Sequence, residues 1–164
     1  MLKFTICFIK QGNHFLMLNR ESPEWMGAWN GVGGKLEENE TPIEGILREV
    51  KEETHLELQQ DLVQYKGKVT WYDVNGTFYG GMYLFLAEIP ESMRYATPVK
   101  TAEGILDWKS LDWLLHPQNK GVADVKRFFE TMIHDAHPYD YRCLYDEDLL
   151  VDVEKVKIVE EPFV

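Results

Sequence analysis

Glu49, Glu52 and Glu53 stand at i, i+3 and i+4 in the stretch "REVKEETHL". On a helix those spacings bring three carboxylates onto one face, about 5–6 Å apart at Cβ. Like charges so placed repel by roughly 0.2–0.5 kcal/mol per pair. Lys51 lies off the patch and cannot neutralise all of it. A solvated acidic face is the plain account, and charge spacing alone favours it. A site for hard divalent cations is the other, because such ions prefer several oxygen ligands and leave room for water and substrate phosphates. The residues just before the helix shift the balance. Gly31, Gly33 and Gly34 let backbone approach a ligand closely, and Lys35 follows as a phosphate-seeking cation.

The elements around these residues are readable. Thr41 as N-cap, Pro42 at the first helical position and Glu44 three residues after Thr41 make a helix start. Ile43, Ile46, Leu47 and Val50 form one apolar stripe, so a helix is expected to about Thr54. Gly45 inside it costs about 1 kcal/mol against Ala, unless something packs closely there. Residues 21–40 read as a Gly-, Pro- and Trp-containing loop. Strands are expected at 2–9 and 14–20, joined by the turn at Gly12-Asn13. A long hairpin is expected around Asn75-Gly76, with a bulge at Gly80 and Gly81. A short strand at 105–111, a short helix ended by Pro117, a longer helix over 122–136 and two closing strands complete the chain. In that longer helix Val122, Val125, Phe128, Phe129 and Ile133 are expected to face inward. Strands and helices interleave with more strand than helix, which points to an α+β or layered α/β/α domain around a mixed sheet.

Composition narrows the function classes. The chain has 164 residues, enough for one domain with a sizeable core. Its net charge of −11 argues against a nucleic-acid polymer, since phosphate backbones need Lys and Arg. A small anionic nucleotide remains compatible if divalent metal lies between the two negative partners. No apolar run approaches a membrane span, and the N-terminus lacks the features of a signal peptide, so a cytoplasmic location is expected. Cys7 and Cys143 are isolated and read as buried free thiols.

From Gly34 to Leu56 the chain reads Gly34, five residues, Glu40, seven residues, Arg48-Glu49-Val50, one residue, Glu52-Glu53, one residue, His55-Leu56. This resembles the Nudix box, G-x5-E-x7-R-E-U-x-E-E-x-G-U. Every charged position is filled, and His55 replaces the last glycine. That departure touches helix termination, where His is a tolerable substitute at positive φ, and not the ligand set. The flanks "GAWNGVGGKLEENET" and "EGILDWKSLDWL" look like the MutT-type branch, which hydrolyses oxidised purine nucleoside triphosphates. The resemblance implies one Nudix domain over residues 1–164, an α/β/α sandwich. It implies that Glu49, Glu52, Glu53 and the Gly33 carbonyl bind Mg²⁺ or Mn²⁺, and that Glu103 is a further ligand or the base. It also implies that Arg48 orients Glu49, that Glu40 braces the join between glycines and helix, and that Gly34 and Lys35 lie against substrate. Water would then attack a phosphorus of a diphosphate linkage.

The substrate is less constrained. By the same resemblance Asn30 and Asp124 contact the base. Asn30 has an amide suited to a purine edge, and equally suited to bonding its own backbone. The stacking Trp expected near Gly121 or Val122 is missing, and Trp25, Trp29 and Phe128 are the possible substitutes. Tyr72 stands where dinucleoside polyphosphate hydrolases carry a Tyr, so that substrate class stays open. A non-catalytic nucleotide sensor is disfavoured by the intact charged set. Oligomeric state is left open.

Overall fold

The computed structural model describes residues 1–159, so the last five residues of the expected domain lie outside it. Ten strands and three α-helices follow in chain order. They are β1 (Phe4–Gln11), β2 (His14–Arg20), β3 (Trp29–Asn30), β4 (Val32–Lys35), α1 (Pro42–Thr54), β5 (Val63–Asp73), β6 (Phe78–Glu88), β7 (Val99–Lys100), β8 (Gly104–Ser110), α2 (Leu111–Leu115), α3 (Phe129–His134), β9 (Tyr139–Asp146) and β10 (Leu149–Lys157). The strands make one sheet in the order β10-β9-β5-β6-β1-β2-β8-β7, with β3 added to β2 and β4 added to β1. It is mixed, because β1–β6 and β5–β9 pair in parallel. The fold is therefore α+β, with helices on both faces. No helix among the described residues is long and apolar enough to cross a membrane.

Alternation along β1 and β2 sends side chains to two cores. Cys7, Ile9, Leu16 and Leu18 meet Ile43, Ile46 and Val50 of α1 on one face. Phe8, Phe15 and Met17 meet Leu114, Val125, Phe129 and Met132 on the other. Both thiols are buried and free, and burial pushes the Cys7 thiol up to about 12.

α1 begins and ends as its residues dictate. Thr41 accepts from the Glu44 amide while the Glu44 carboxylate accepts from the Thr41 amide, and Pro42 opens the helix. His55 ends it in the left-handed conformation at φ 66°. A Cβ at Gly45 would strike Leu36 and lie 2.9 Å from Glu40 Oε1, which is the close packing that justifies a glycine inside a helix.

Three expectations are corrected. The stretch 21–40 is not all loop, since β3 and β4 lie within it and Gly33 and Gly34 pair with Ile6 and Thr5 of β1. The glycines are there for tight packing: a Cβ at Gly33 would collide with the Thr5 carbonyl and lie 2.8 Å from Ile6 Cα. The helix over 122–136 is broken into a 3₁₀ turn at Asp124–Arg127 and the six-residue α3. Its first turn never forms because Val122 bridges to Trp29, and Phe128 adopts φ −130° between the two pieces. Val122 and Ile133 are only partly buried, whereas Met132 is buried. In the hairpin the register slips between Trp71 and Tyr72, leaving Tyr79 as the extra residue beside Gly80. A second bulge leaves Lys66 extra before Gly67, which has φ +110°.

Candidate functional site

α1 packs on β4, and this contact assembles the acidic cluster. Arg48 is its centre. Its Nε donates to Glu40 Oε2 at 2.7 Å and its Nη2 to Glu40 Oε1 at 2.9 Å, a bidentate pair. Nη2 also donates to the Lys35 carbonyl at 3.1 Å, which ties the end of β4 to the helix. Nη1 donates to Glu49 Oε1 at 2.9 Å and to Glu52 Oε2 at 3.3 Å. The Arg48 bonds hold the Glu40 carboxyl below its ordinary range.

Glu49 and Glu53 take the inner side of the cluster. Glu49 lies directly over Gly34, where an added Cβ would fall 2.6 Å from its carboxyl carbon. The Gly33 amide donates to Glu53 Oε2 at 3.2 Å. Burial and the neighbouring Glu49 charge push the Glu53 carboxyl up to about 8, and burial also raises Glu49. Glu52 is exposed and shares only the edge of the Arg48 guanidinium. Lys51 pairs with Glu57 at 2.8 Å, away from the cluster.

Glu103 reaches the same place from the loop just before β8. The Glu21 amide donates to the Glu103 carbonyl at 3.1 Å, and Arg20 pairs with Gly104 in the β2–β8 register. A Cβ at Gly104 would run into the Asn19 carbonyl, so glycine is needed to bring Glu103 in. The Glu103 charge raises the Glu53 carboxyl while that of Arg20 lowers it. Arg20 was not singled out in the sequence. One Arg at a strand end carries no local pattern, and only the β2–β8 pairing relates it to Glu103. Its Nη2 donates to the Pro23 carbonyl at 3.3 Å, and its buried Nε has no hydrogen-bond partner. A buried donor left over beside acidic residues is a ready contact for an anionic ligand.

Among the described residues no three His, Cys, Asp or Glu side chains converge closely enough to hold a metal ion. Arg48 draws Glu49 and Glu52 toward itself, and the Gly33 amide engages Glu53. The donor chemistry nevertheless fits a hard cation. The Glu49 and Glu103 charges raise the cost of ionising Glu53, and a divalent ion among carboxylates removes that cost.

Beside β3 the backbone joins the segments that carry Asn30 and Asp124. The Trp29 amide donates to the Gly121 carbonyl at 2.7 Å, and the Ala123 amide to the Trp29 carbonyl at 3.0 Å. Asn30 and Asp124 are the residues next to that double bond. Asn30 Oδ1 accepts from the Gly31 amide at 2.9 Å, which leaves the two NH₂ donors to other partners. Asp124 Oδ2 accepts from Tyr145 Oη at 2.8 Å, and burial raises its carboxyl. Of the substitutes for the missing Trp, Phe128 is buried against Tyr141 at 4.6 Å between ring centroids. Trp29 packs on Trp113 with Lys109 Nζ 4.4 Å above its ring, and Trp25 is exposed. An aromatic series lies elsewhere: Phe4, Trp71, Tyr79 and Tyr145 follow one another at 6.2–6.5 Å between centroids and end at Asp124. Lys35 is exposed, and its ammonium makes no ion pair among the described residues.

A family model of the NUDIX domain matches residues 2–132. The chain belongs to the Nudix family. Among curated relatives, this Nudix chain is 28% identical to the oxidized purine nucleoside triphosphate hydrolase of Mus musculus, over 66% of each chain, and so spans just under two thirds of that relative. It is 39% identical to the 8-oxo-dGTP diphosphatase of Proteus vulgaris over 51 residues, which cover 31% of this chain and 46% of that one. Among solved structures it is similar to a MutT protein from Bacillus halodurans, with a TM-score of 0.72 and 23% identity over 94% of this chain and 97% of that one. It is also similar to the Nudix domain of NrtR from Shewanella oneidensis, crystallised with ADP ribose, with a TM-score of 0.62 and 16% identity over 81% and 86%.

Proposed function

We propose that this Nudix protein is a single-domain hydrolase that cleaves a purine nucleoside triphosphate, oxidised or not, to the monophosphate and pyrophosphate. The observation that carries this is the half-buried Glu49–Glu53 pair, with Glu49 over Gly34 and held by Arg48, and Glu53 held by the Gly33 amide. Glu49, Glu52, Glu53 and the Gly33 carbonyl, with Glu103 beside them, would hold Mg²⁺ or Mn²⁺. Bound there, the ion supplies neutralising charge for phosphoryl oxygens and acidifies water.

The chain's own residues do the rest. Arg48 fixes Glu49 in one rotamer, so the carboxylate does not have to be ordered during the reaction. Arg20 Nε and Lys35 Nζ donate to phosphate oxygens. Glu103, on its own loop, accepts the proton of the attacking water. The new bond forms from that water to the β-phosphorus, and the bond from the β-phosphorus to the bridging oxygen breaks. The α-phosphate leaves with the nucleoside. Asn30 and Asp124 read the base edge, and Trp71 and Tyr79 give it a stacking surface.

Tyr72 lines the face of the sheet opposite Val69 and packs on Phe78 at 5.5 Å, which gives dinucleoside polyphosphates no support from that residue. The test is a kcat/KM comparison across 8-oxo-dGTP, dGTP, dCTP, ADP-ribose and diadenosine tetraphosphate with Mg²⁺. The expected result is a preference for the purine triphosphates with release of pyrophosphate. A preference for ADP-ribose or the tetraphosphate overturns the substrate assignment, and no cleavage of any of them makes the protein a sensor.

A further inference from the structure

A groove also lies away from the acidic cluster. It is an open groove of about 540 Å³ on the α1 face of the sheet, and it shares no lining residue with the site above. α1 covers β1 and β4 on this face, whereas β5 and β9 carry Lys68, Thr70, Tyr72, Asp140 and Arg142 into the groove. The register explains the grouping, since Lys68 lies beside Asp140 and Thr70 beside Arg142 in the parallel β5–β9 pair. Phe78 from β6 closes one wall against Tyr72 and is 51% exposed.

The groove floor is built, not merely left over. Asp140 is 5% exposed, and both its oxygens are committed, one to Thr70 Oγ1 at 2.6 Å and one to Arg142 Nε at 3.1 Å. That bond fixes the guanidinium, whose terminal nitrogens have no hydrogen-bond partner among the described residues. Lys68 makes no hydrogen bond or ion pair among the described residues. Glu154 faces Arg142 across the β9–β10 pair but forms no ion pair with it and does not line the groove. Lys68 and Arg142 against Asp140 leave the floor a net charge of about +1, in a chain whose net charge is −11. Arg presents a planar fork that matches phosphate, and aromatic walls stack any base without reading its sequence. The volume falls within the range of small-ligand sites, about 300–1,000 Å³.

We propose that this groove is a second binding site, separate from the Glu49–Glu53 cluster, for a mononucleotide-sized aromatic anion. The phosphate engages Lys68 and Arg142, and the base lies on Tyr72 and Phe78. The assignment does not depend on what the acidic cluster hydrolyses. It is tested by calorimetric titration of the full chain with GMP in the presence of chelator, with guanosine and inorganic phosphate as separate probes. GMP should bind, and each fragment should bind at least tenfold more weakly. The double variant Lys68→Gln/Arg142→Gln should weaken the GMP isotherm at least tenfold, and Glu53→Gln should leave it in place. Phe78→Ala changes an exposed side chain and should weaken GMP but not phosphate. Unaltered melting temperatures verify that the variants are folded. A GMP isotherm unchanged in the double variant and in Phe78→Ala, or abolished by Glu53→Gln, overturns the proposal.

Discussion

Gly33 and Gly34 are neighbours, yet adding one methyl group to each should have opposite consequences. At Gly34 the new Cβ would lie 2.6 Å from the Glu49 carboxyl carbon and 2.6 and 2.7 Å from its oxygens. Non-bonded carbons are comfortable at about 3.5–4.0 Å, so the carboxylate must retreat by about 1 Å. Glu49 can do so by giving up its bond from Arg48 Nη1, since the carboxylate is the far end of a long side chain. Arg48 keeps its two bonds to Glu40 and its bond to the Lys35 carbonyl. The cost to stability should be about 1 kcal/mol, or about 2–4 °C in Tm for a chain of this size. The cost to hydrolysis should be far larger, because a misplacement of about 1 Å at reacting groups costs about 100-fold. At Gly33 the methyl group meets backbone, the Thr5 carbonyl and Ile6 Cα. β1 and β4 must part, so Gly33→Ala should lose at least about 3 kcal/mol, or about 6–12 °C. The assay is thermal melting of both variants together with kcat on the best nucleotide substrate. Full activity in Gly34→Ala, or a native Tm in Gly33→Ala, would refute the account of the glycines as a carboxylate seat and a strand contact.

Chelator should stop hydrolysis and added Mg²⁺ or Mn²⁺ restore it, with little change in circular dichroism; full activity in excess EDTA contradicts the cation site. Glu53→Gln should lower kcat far more than it raises KM, because it removes a charge that matters most in the transition state. Glu57→Gln should do little, since Glu57 is exposed and paired with exposed Lys51; equal losses at both positions would reduce α1 to a structural helix. Asn30→Ala should lower discrimination among 8-oxo-dGTP, dGTP and dCTP about tenfold, the value of about 1.4 kcal/mol within the range for one lost hydrogen bond. A common drop in kcat/KM for all three would mean that Asn30 supports the loop and reads nothing.

α1 was legible from residues because its causes are local. Thr41, Pro42, Glu44 and the Ile43–Val50 stripe each act within one or two turns, and His55 ends the helix at the expected position. β4 was not legible, because Gly33 and Gly34 have no strand preference of their own and owe their extended backbone to β1. The broken helix at 122–134 failed for the same reason. Its apolar spacing is helical, but Val122 is captured by Trp29 from the other end of the chain. The charged spacing of Glu49, Glu52 and Glu53 was visible at once, whereas the seat beneath Glu49 and the nearby Arg20 depend on strand pairing.

The double bond between Trp29 and the 121–123 segment turns two distant stretches of sequence into one mechanical part. Lys109 of β8 holds its ammonium over the same Trp29 ring and over Trp113, which packs on Trp29. Asn30 and Asp124 thus ride on a shared splint and cannot be repositioned one at a time. Substitutions at the two should not combine additively, as expected for residues coupled through a common backbone shift. A change in the 116–121 turn would be felt at Asn30 without touching it. Selectivity in such a protein is tuned by moving the splint as a whole, which makes residues far from any ligand part of what the pocket accepts.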